Sequence, residues 1–335
     1  MLFRCDGGAG IGEGHLLRTL PVAEALAARG HKCTLLTSTP DAPGLAAWRQ
    51  AGIEIVRGTF LRGTEEDTNE TCRVAFGMAS QAGSIKGAAW AAIDNYAFAA
   101  PLLGRLPGDL RTLVYDDLGL FDPAASIVVN QNAGADVTFA KAYPASKMKL
   151  LGTRYAAIRQ AVADALRVDE GYVLVCLGGS SDPALAAEVA SEVASAIPSR
   201  DVVLVAGADP ASSADGAGRE RFAHLPTQEL APLISRAHIA VIGGGVTALE
   251  AAYLGVPAVV LILAENQRPG ALALARTGAC VTFEGAAAAG RAVAELIGDP
   301  ARLRQMAAAG TAEVDGLGAR RVADALVEFS GEALL

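Results

Sequence analysis

Short apolar runs alternate with longer runs of helical period along the first half of the chain. LFRC (2–5) precedes HLLRTLPVAEALAARG (15–30), and HKCTLLTS (31–38) precedes APGLAAWRQAG (42–52). The short runs are typical of strands buried on both faces, and the longer ones have the spacing of helices. GIEIVRG, AAWAAIDNY, RTLVYDD and ASIVVNQN are further predicted strands. This order indicates a parallel sheet covered by helices on both faces.

The same alternation restarts near residue 171. Predicted strands lie in GYVLVCLGG, DVVLVAG, AHIAVIGGG and PAVVLIL, and the last stretch, from GRAVAELI to ADALVEFS, is predicted to be helical. We therefore predict an α/β protein of two Rossmann-like, doubly wound domains, 1–155 and 170–335. A connection over 156–169 carries a helix that ends before Gly171, and the last helix can pack back on the first domain. Open parallel sheets bind ligands at the carboxyl ends of their strands, so we expect a cleft between the domains.

Composition and charge narrow the class of partner. A chain of 335 residues that is 52% hydrophobic is expected to fold into more than one core. Its net charge of −8, without a basic cluster, disfavours nucleic acid and anionic membranes as partners. No run of 18 uncharged apolar residues and no signal peptide is found, and the five cysteines show no CxxC spacing. We expect a cytoplasmic protein with reduced thiols.

The first candidate for chemistry is the glycine-rich stretch GGAGIGEGHLLRTL (7–20). It fails the G-x-G-x-x-G spacing, because Glu13 and His15 stand where the last glycine would be needed, and it lacks the Walker A lysine. It places His15 at the start of a helix, where the dipole disfavours the charged imidazolium and leaves a neutral base. The alternative is that His15 is merely an exposed residue of the first turn.

Three polar or glycine-rich turns follow predicted strands in the second half. CLGGSSD (176–182) offers Gly179 and Ser180, and VIGGGVTALE (241–250) places three glycines at the start of a helix, an arrangement that suits a diphosphate. Glu250 lies one turn after Thr247 and could accept hydrogen bonds from a ribose; the alternative is a capping box formed by these two residues. AENQRPG (264–270) is either a cleft-facing segment or a plain polar turn.

Taken in order, these stretches resemble one family, the UDP-sugar hydrolases of pseudaminic acid biosynthesis. FRCDGGAGIGEGHLLR is similar to the family's opening R-x-D-G-x-x-x-I-G-x-G-H-x-x-R, and LLGTRYAAIR to its L-L-G-x-x-Y-x-x-L-R. IDNYAF, LVYDDLG, IVVNQN, VLVCLGGSSDP, IGGGVTALEAAYLGVP and AENQ also match its motifs. The family is MurG-like and has the GT-B fold. The resemblance therefore implies two Rossmann-like domains and hydrolysis of a UDP-linked 2,4-diacetamido-2,4,6-trideoxyhexose.

The resemblance also implies a role for individual residues. His15 would be the base that activates water, while Asp6 and Arg18 would organise the loop. The substrate side would be lined by Gly12, Gly14, Tyr96, Asn266 and Gln267. The nucleotide would be held by Gly179, Ser180, Gly244, Gly245, Thr247 and Glu250. No metal or other cofactor is implied, the partner is a small UDP-sugar, and we expect a monomer or a weak homodimer.

The implied reaction is chemically consistent with these residue types. A diphosphate is a good leaving group that needs electrostatic stabilisation more than a proton donor, so the two carboxylates of ordinary glycosidases are unnecessary. Direct attack by water would invert the anomeric carbon. Three alternatives remain open at this point: a GT-B glycosyltransferase using a UDP-sugar donor, a non-catalytic nucleotide-sugar binder, and a relative of the UDP-GlcNAc 2-epimerases.

Overall fold

The chain divides into two compact units. The computed structural model describes residues 1–8, 10–81, 83–85, 88–96, 105–119, 125–144, 146–179, 181–205, 221–222 and 227–331. One unit comprises Met1–Ala157 together with Leu317–Leu335, and the other comprises Ile158–Gly316. The sequence-based boundaries placed 158–169 in a connection and 317–335 in the second domain, with a last helix that can pack back on the first. The structure groups 158–169 with the second unit and 317–335 with the first.

The first unit is built on a seven-stranded parallel sheet with the order β3-β2-β1-β4-β5-β6-β7. Its strands are β1 (Leu2–Cys5), β2 (Thr34–Thr37), β3 (Glu54–Arg57), β4 (Trp90–Asp94), β5 (Arg111–Tyr115), β6 (Ile127–Asn130) and β7 (Met148–Leu151). Its helices are α1 (Gly14–Ala27), α2 (Leu45–Gln50), α3 (Glu65–Ala79), α4 (Ala135–Thr138) and, at the chain's end, α12 (Gly318–Phe329). A 3₁₀ turn spans Thr153–Tyr155.

Both faces of this sheet are covered because alternate side chains of each strand point to opposite sides. Phe3 packs with α1, α2 and α12, in a cluster that contains Trp48 and Leu326. Its neighbour Leu2 faces the other way, into the cluster that contains Met78 of α3. β1 and β4 are the third and fourth of the seven strands and lie at the centre of this sheet.

The second unit is a six-stranded parallel sheet with the order β10-β9-β8-β11-β12-β13. The strands are β8 (Val173–Cys176), β9 (Val202–Val205), β10 (Arg221–Phe222), β11 (Ile239–Gly243), β12 (Ala258–Leu261) and β13 (Cys280–Phe283). The helices are α5 (Gln160–Ala163), α6 (Pro183–Ala196), α7 (Thr227–Arg236), α8 (Val246–Tyr253), α9 (Arg268–Arg276), α10 (Ala286–Ile297) and α11 (Pro300–Glu313), and a 3₁₀ turn spans Glu265–Gln267. The central strands β8 and β11 are fully buried.

The segment between the two halves differs most from the expectation. Residues 148–151 form the edge strand β7, which the sequence analysis did not predict. Its residues are mostly half-buried and include Lys149, so they lack the continuous apolar pattern of a buried strand. The helix predicted to end before Gly171 is only the four residues of α5. Beyond it, the backbone N–H groups of Val168 and Glu170 donate to the carbonyl oxygens of Ser235 and Arg236 at the end of α7. These two residues are therefore hydrogen-bonded to another helix and do not continue α5.

Two helical glycines are expected to respond oppositely to alanine. A methyl group at Gly310 in α11 would lie 2.7 Å from the Ala252 carbonyl oxygen of α8, whereas one at the exposed Gly77 in α3 would meet nothing within 4 Å. Gly310→Ala should lower the free energy of unfolding by about 1–3 kcal/mol through overpacking. Gly77→Ala should raise it by roughly 0.5–1 kcal/mol through helix propensity.

Calorimetric or urea unfolding of both variants beside the unaltered protein measures these changes. Equal effects of the two substitutions would contradict the close packing of α11 on α8.

Candidate functional site

The glycine-rich loop of the first unit depends on backbone that only glycine adopts readily. Gly8, Gly10 and Gly12 have φ values of 102°, 74° and 81°, in the left-handed region that other residues avoid. The Gly12 N–H donates to the Gly8 carbonyl at 2.8 Å and closes the turn. Helix α1 then begins at Gly14, so His15 is its second residue, as the sequence predicted.

His15 is buried and paired. Only 9% of the residue is exposed, and its Nδ1 lies 2.6 Å from Oδ1 of Asp94. Asp94 is the last residue of β4 and is paired in register with Cys5 at the end of β1. The alternative of a solvent-exposed first-turn histidine is therefore wrong. A carboxylate on Nδ1 fixes the tautomer with the proton on that nitrogen and leaves Nε2 as an acceptor.

Arg18, one turn further along α1, holds Asp94 in place. Its Nε and Nη2 donate to the two oxygens of Asp94 at 2.5 and 2.7 Å, and its Nη1 donates to Asp117 at 2.6 Å. Burial by itself would raise the pKa of Asp94, but the charge of Arg18 and the hydrogen bonds from Arg18 and His15 lower that pKa to about 2. Asp94 is therefore ionised at neutral pH.

Asp117 joins the remaining side chains of this cluster. Its Oδ2 accepts from the Tyr96 hydroxyl at 2.5 Å as well as from Arg18, and its Oδ1 accepts from Asn132 at 2.8 Å. The Tyr96 ring stands edge-on to the His15 ring, with centroids 4.8 Å apart at 80°. Burial and the Asp117 charge raise the pKa of Tyr96, so its hydroxyl keeps its proton. Tyr96, predicted to line the sugar side, thus also contacts His15.

Sequence reasoning missed Asp94, Asp117 and Asn132 as members of this cluster. All three lie in segments that it noted, IDNY, VYDD and NQN. The available signal was their position: each follows or ends one of the three neighbouring strands β4, β5 and β6. Carboxyl ends of adjacent parallel strands meet at one edge, but the strand order that makes these three adjacent is not visible in the sequence.

Asp6 occupies the adjoining corner and binds protein groups. It accepts hydrogen bonds from the Thr37 hydroxyl at 2.9 Å and the Ser38 N–H at 2.7 Å, after β2. It also accepts from the Asn95 amide at 3.0 Å and forms an ion pair with Arg4 at 2.8 Å. These contacts tie the ends of β1, β2 and β4 together, which is the geometry expected of a loop-organising residue.

In the second unit, the three glycines after β11 differ in what surrounds them. A methyl group on Gly243 would lie 2.7 Å from the Leu177 carbonyl oxygen, and one on Gly244 would lie 3.2 Å from the Cβ of Gln267. At Gly245, a methyl group would meet nothing within 4 Å. The first two glycines permit close packing of the protein on itself. Gly245, the N-cap of α8, borders open space.

Helix α8 begins at Val246, so Thr247 is inside the helix and no side chain caps it. The capping-box alternative for Thr247 and Glu250 is therefore wrong. A helix start whose cap offers no side chain leaves backbone N–H groups for another acceptor.

Glu250 of α8 is fully buried and forms an ion pair with Arg159. The Arg159 guanidinium donates to both oxygens of Glu250, with the Nη2–Oε2 distance 2.5 Å, and the two side chains are 3% and 0% exposed. The ribose contact implied for Glu250 stays a prediction. A ribose would have to reach a carboxylate that is fully buried in the protein. Two lone pairs of that carboxylate remain after Arg159 has used the other two.

The segment after β12 supports the same loop. The side-chain oxygen of Gln267 accepts from the Gly244 N–H at 3.2 Å and from the Leu263 N–H at 3.3 Å. Gln267, predicted to bind substrate, therefore uses its oxygen on the protein, and among the described residues none accepts a hydrogen bond from its amide N–H groups. Asn266 lies beside it, half-buried in the 3₁₀ turn. Their substrate contacts stay predictions.

The CLGGSSD segment is described in part. Gly178, with φ of 101°, leads from β8 to the exposed Gly179, while Ser180 lies outside the described residues. Asp182 caps α6 by accepting from the Ala184 N–H at 2.9 Å.

Among the residues that the structure describes, no group of three or more His, Cys, Asp or Glu side chains is placed to hold a metal ion. No described helix is both long and apolar enough to cross a bilayer.

Comparison with known proteins gives structural matches without sequence matches. No family model and no curated protein matches the sequence. Among solved structures, the S. aureus MnaA–UDP co-structure superposes with a TM-score of 0.71 at 12% identity, covering 99% of this chain and 97% of that one. Acinetobacter baumannii MurG superposes with a TM-score of 0.62 at 16% identity, covering 98% and 99%.

A solved structure from Listeria monocytogenes, of a protein assigned as a UDP-N-acetylglucosamine 2-epimerase, superposes with a TM-score of 0.67 at 13% identity. The match covers 96% of this chain and 93% of that one. At such low identity these matches establish the fold alone. The chain has the GT-B fold of two parallel-sheet α/β units.

The depressed pKa of Asp94 predicts a pH-dependent loss of stability. The folded-state pKa of about 2 lies below the ordinary value of about 3.9, so the ionised carboxylate stabilises the fold above pH ~4 and this contribution is lost as the pH falls toward 2. Asp94→Asn should lower the free energy of unfolding by about 2 kcal/mol at pH 7.

The difference from the unaltered protein should shrink between pH 5 and pH 3. Urea unfolding at several pH values measures it, with the exposed Asp109→Asn as a control that should show no such trend. A difference that stays constant with pH would contradict the Arg18–Asp94 pairing as its cause.

Proposed function

We propose that this protein hydrolyses a UDP-linked sugar, releasing UDP and the free sugar. The observation that carries the proposal is the buried His15–Asp94 pair at the start of α1, directly after a loop of left-handed glycines. A histidine oriented by a carboxylate is the arrangement of a general base. The resemblance of the opening motif to the pseudaminic acid hydrolases favours water as the molecule activated.

In the proposed mechanism, Nε2 of His15 accepts a proton from water as the water oxygen attacks the anomeric carbon. The bond from that carbon to the diphosphate oxygen breaks, and its electron pair leaves with UDP. The UDP leaves as an anion and takes no proton. Because one direct displacement occurs, the anomeric configuration inverts. Arg18 keeps Asp94 ionised, and Asp94 accepts the Nδ1–H of His15, which fixes the ring and places the acceptor lone pair on Nε2.

The second unit supplies the proposed nucleotide grip. The start of α8 offers backbone N–H groups and the positive end of a helix dipole to the diphosphate, with Gly245 and Thr247 nearest it and open space beside Gly245. The Gly244 N–H donates to the side-chain oxygen of Gln267, and this hydrogen bond fixes the backbone of the loop. We assign the ribose to Glu250, and the contacts to the sugar to Gly12, Gly14 and Tyr96 of the first unit and to Asn266 of the second.

The resemblance suggests the substrate, a UDP-2,4-diacetamido-2,4,6-trideoxyhexose of cytoplasmic nonulosonic acid biosynthesis. A second function, transfer of a sugar from a UDP-sugar donor, uses the same nucleotide grip. It is favoured by the fold matches, which include MurG and the glycosyltransferases named for kitacinnamycin and spinosyn. The two functions differ in whether water or an acceptor hydroxyl receives the sugar.

A direct assay separates the two functions. The protein is incubated with the UDP-trideoxyhexose in H₂¹⁸O, UDP release is followed, and NMR records the anomer first formed. A hydrolase should release UDP without any acceptor, leave that UDP free of ¹⁸O because the bond to the anomeric carbon breaks, and invert that carbon. UDP release that requires an added acceptor would instead establish the transferase.

His15→Ala is expected to reduce UDP release by roughly 10²–10⁴-fold without weakening UDP binding, because the nucleotide grip lies on α8. Initial rates and calorimetric titration with UDP measure the two effects. Undiminished turnover would remove His15 as the base.

Gly245→Ala should weaken UDP binding while leaving the fold intact. The added methyl group meets no protein atom and therefore enters the space assigned to the diphosphate. We expect the Kd for UDP to rise by roughly tenfold or more, equivalent to about 1.4 kcal/mol. Titration calorimetry beside the Gly77→Ala control tests this, and an unchanged Kd would place the diphosphate elsewhere.

A further inference from the structure

A buried aromatic ring lies against the guanidinium of Arg18. Tyr115 is the last residue of β5 and is only 2% exposed. The central carbon of the Arg18 guanidinium, Cζ, lies over this ring, 5.2 Å from its centroid, which is within the range of a cation–π contact. No step of the proposed mechanism uses the ring.

The strand register brings Tyr115 next to Asp94. Val114 of β5 is paired in register with Ile93 of β4, so the residues that follow them, Tyr115 and Asp94, are neighbours on the two strands. Asp94 is in turn paired with Cys5 of β1, and Cys5 and Tyr115 both belong to the core that packs with α1. Because residues in register share a face of the sheet, the three side chains form a row on the face that α1 covers.

The hydroxyl and the ring of Tyr115 differ in their partners. Among the residues that the structure describes, none forms a hydrogen bond with the buried hydroxyl oxygen of Tyr115. Burial raises the pKa of Tyr115, so the hydroxyl keeps its proton and brings no negative charge to the site. A buried hydroxyl without a partner lowers stability. What Tyr115 offers to Arg18 is therefore the face of its ring.

We propose that Tyr115 is a positioning residue whose ring holds the Arg18 guanidinium where it binds Asp94. Asp94 in turn orients His15. The inference rests on the proposed role of His15 as the base, and it adds an aromatic ring to the carboxylate and the guanidinium that orient this base.

The contact matters because the bonds between Arg18 and Asp94 are directional. A guanidinium donates two parallel hydrogen bonds to a carboxylate only when the two planar groups are aligned. Nε and Nη2 of Arg18 make these bonds at 2.5 and 2.7 Å, and Nη1 donates to Asp117 at 2.6 Å. The ring of Tyr115 lies under the carbon that joins these nitrogens. It therefore restrains the guanidinium from shifting toward β5, which would lengthen the bonds to Asp94.

The ring also suits the charge of the site. Only 7% of the Arg18 side chain is exposed, so the cation has few water molecules around it. The face of an aromatic ring is partially negative, and it attracts a desolvated cation more strongly than an exposed one. Unlike another carboxylate, the ring adds no formal charge beside Asp94 and Asp117. It steadies the cation without competing for its hydrogen bonds.

The test separates the ring of Tyr115 from its hydroxyl. Tyr115→Phe is the conservative variant that removes only the hydroxyl, whereas Tyr115→Leu removes the ring and keeps an apolar side chain. Leu113→Ala is the matched control for damage to the core, because Leu113 is fully buried in the same core two residues earlier on β5. Urea unfolding should give lower midpoints for Tyr115→Leu and Leu113→Ala, and an equal or higher midpoint for Tyr115→Phe.

Proton NMR of the full-length protein without substrate measures the positioning of His15. The Nδ1 proton of His15 is hydrogen-bonded to Asp94 and should give a resonance far downfield that exchanges slowly with water. His15→Gln identifies this resonance by removing it. We expect the resonance to persist in Tyr115→Phe and Leu113→Ala, and to broaden or vanish in Tyr115→Leu.

The hydrolysis assay gives a second measurement. Tyr115→Leu should lower kcat by roughly 5- to 30-fold, the effect of losing a desolvated cation–π contact, while KM stays within about twofold. Tyr115→Phe should restore kcat to within about twofold of the unaltered protein. Tyr115→Met, which is also apolar and adapts to irregular space, is expected to behave like Tyr115→Leu and replaces it if the leucine variant does not fold.

A His15 resonance that survives in Tyr115→Leu, or that is lost equally in Tyr115→Phe or Leu113→Ala, would overturn the proposal. Its absence from the unaltered protein would overturn it as well. Because the resonance needs no substrate, it judges this proposal even if the protein hydrolyses no UDP-sugar, in which case only the proposed function fails.

Discussion

The first unit's site depends on one guanidinium that bridges the ends of two neighbouring strands. Arg18 reaches from α1 to Asp94 at the end of β4 and to Asp117 just after β5. Two buried carboxylates this close would repel each other, and one of them would take up a proton, if no cation lay between them. Arg18 keeps Asp94 ionised, and the ionised Asp94 determines which nitrogen of His15 carries the proton. The orientation of His15 thus depends on Arg18, which holds Asp94 in place.

This dependence explains how far the sequence could predict the site. The alternation of apolar runs predicted the two parallel sheets, and the glycine spacing placed His15 at the start of a helix. The partners of His15 could not be predicted, because Asp94 and Asp117 are 79 and 102 positions away along the chain and become neighbours only through the order β1-β4-β5. Local pattern gives the strands, whereas their order follows from the packing of the whole unit.

The second unit illustrates a different limit of sequence reasoning. Thr247 and Glu250 have the spacing of a capping box, yet the helix begins two residues too early for it, and Glu250 is bound by Arg159 instead. The GGG triplet looked uniform, but two of its glycines accommodate neighbouring protein atoms and one borders free space. The glycines in the sequence indicate that the backbone can approach another group closely. The packing identifies that group as neighbouring protein atoms at Gly243 and Gly244.

The return of the last helix has a consequence for how the molecule can be divided. Helix α12 packs its apolar face on the first sheet: Val322 and Leu326 are fully buried in that core, and the Phe329 ring lies 5.7 Å from that of Trp90. The first unit is therefore not a continuous piece of chain. A fragment ending at Ala157 would expose this face to water, and ribosomal synthesis cannot complete the unit until nearly all of the second has been made. Chain order thus makes the N-terminal unit the later of the two to be finished.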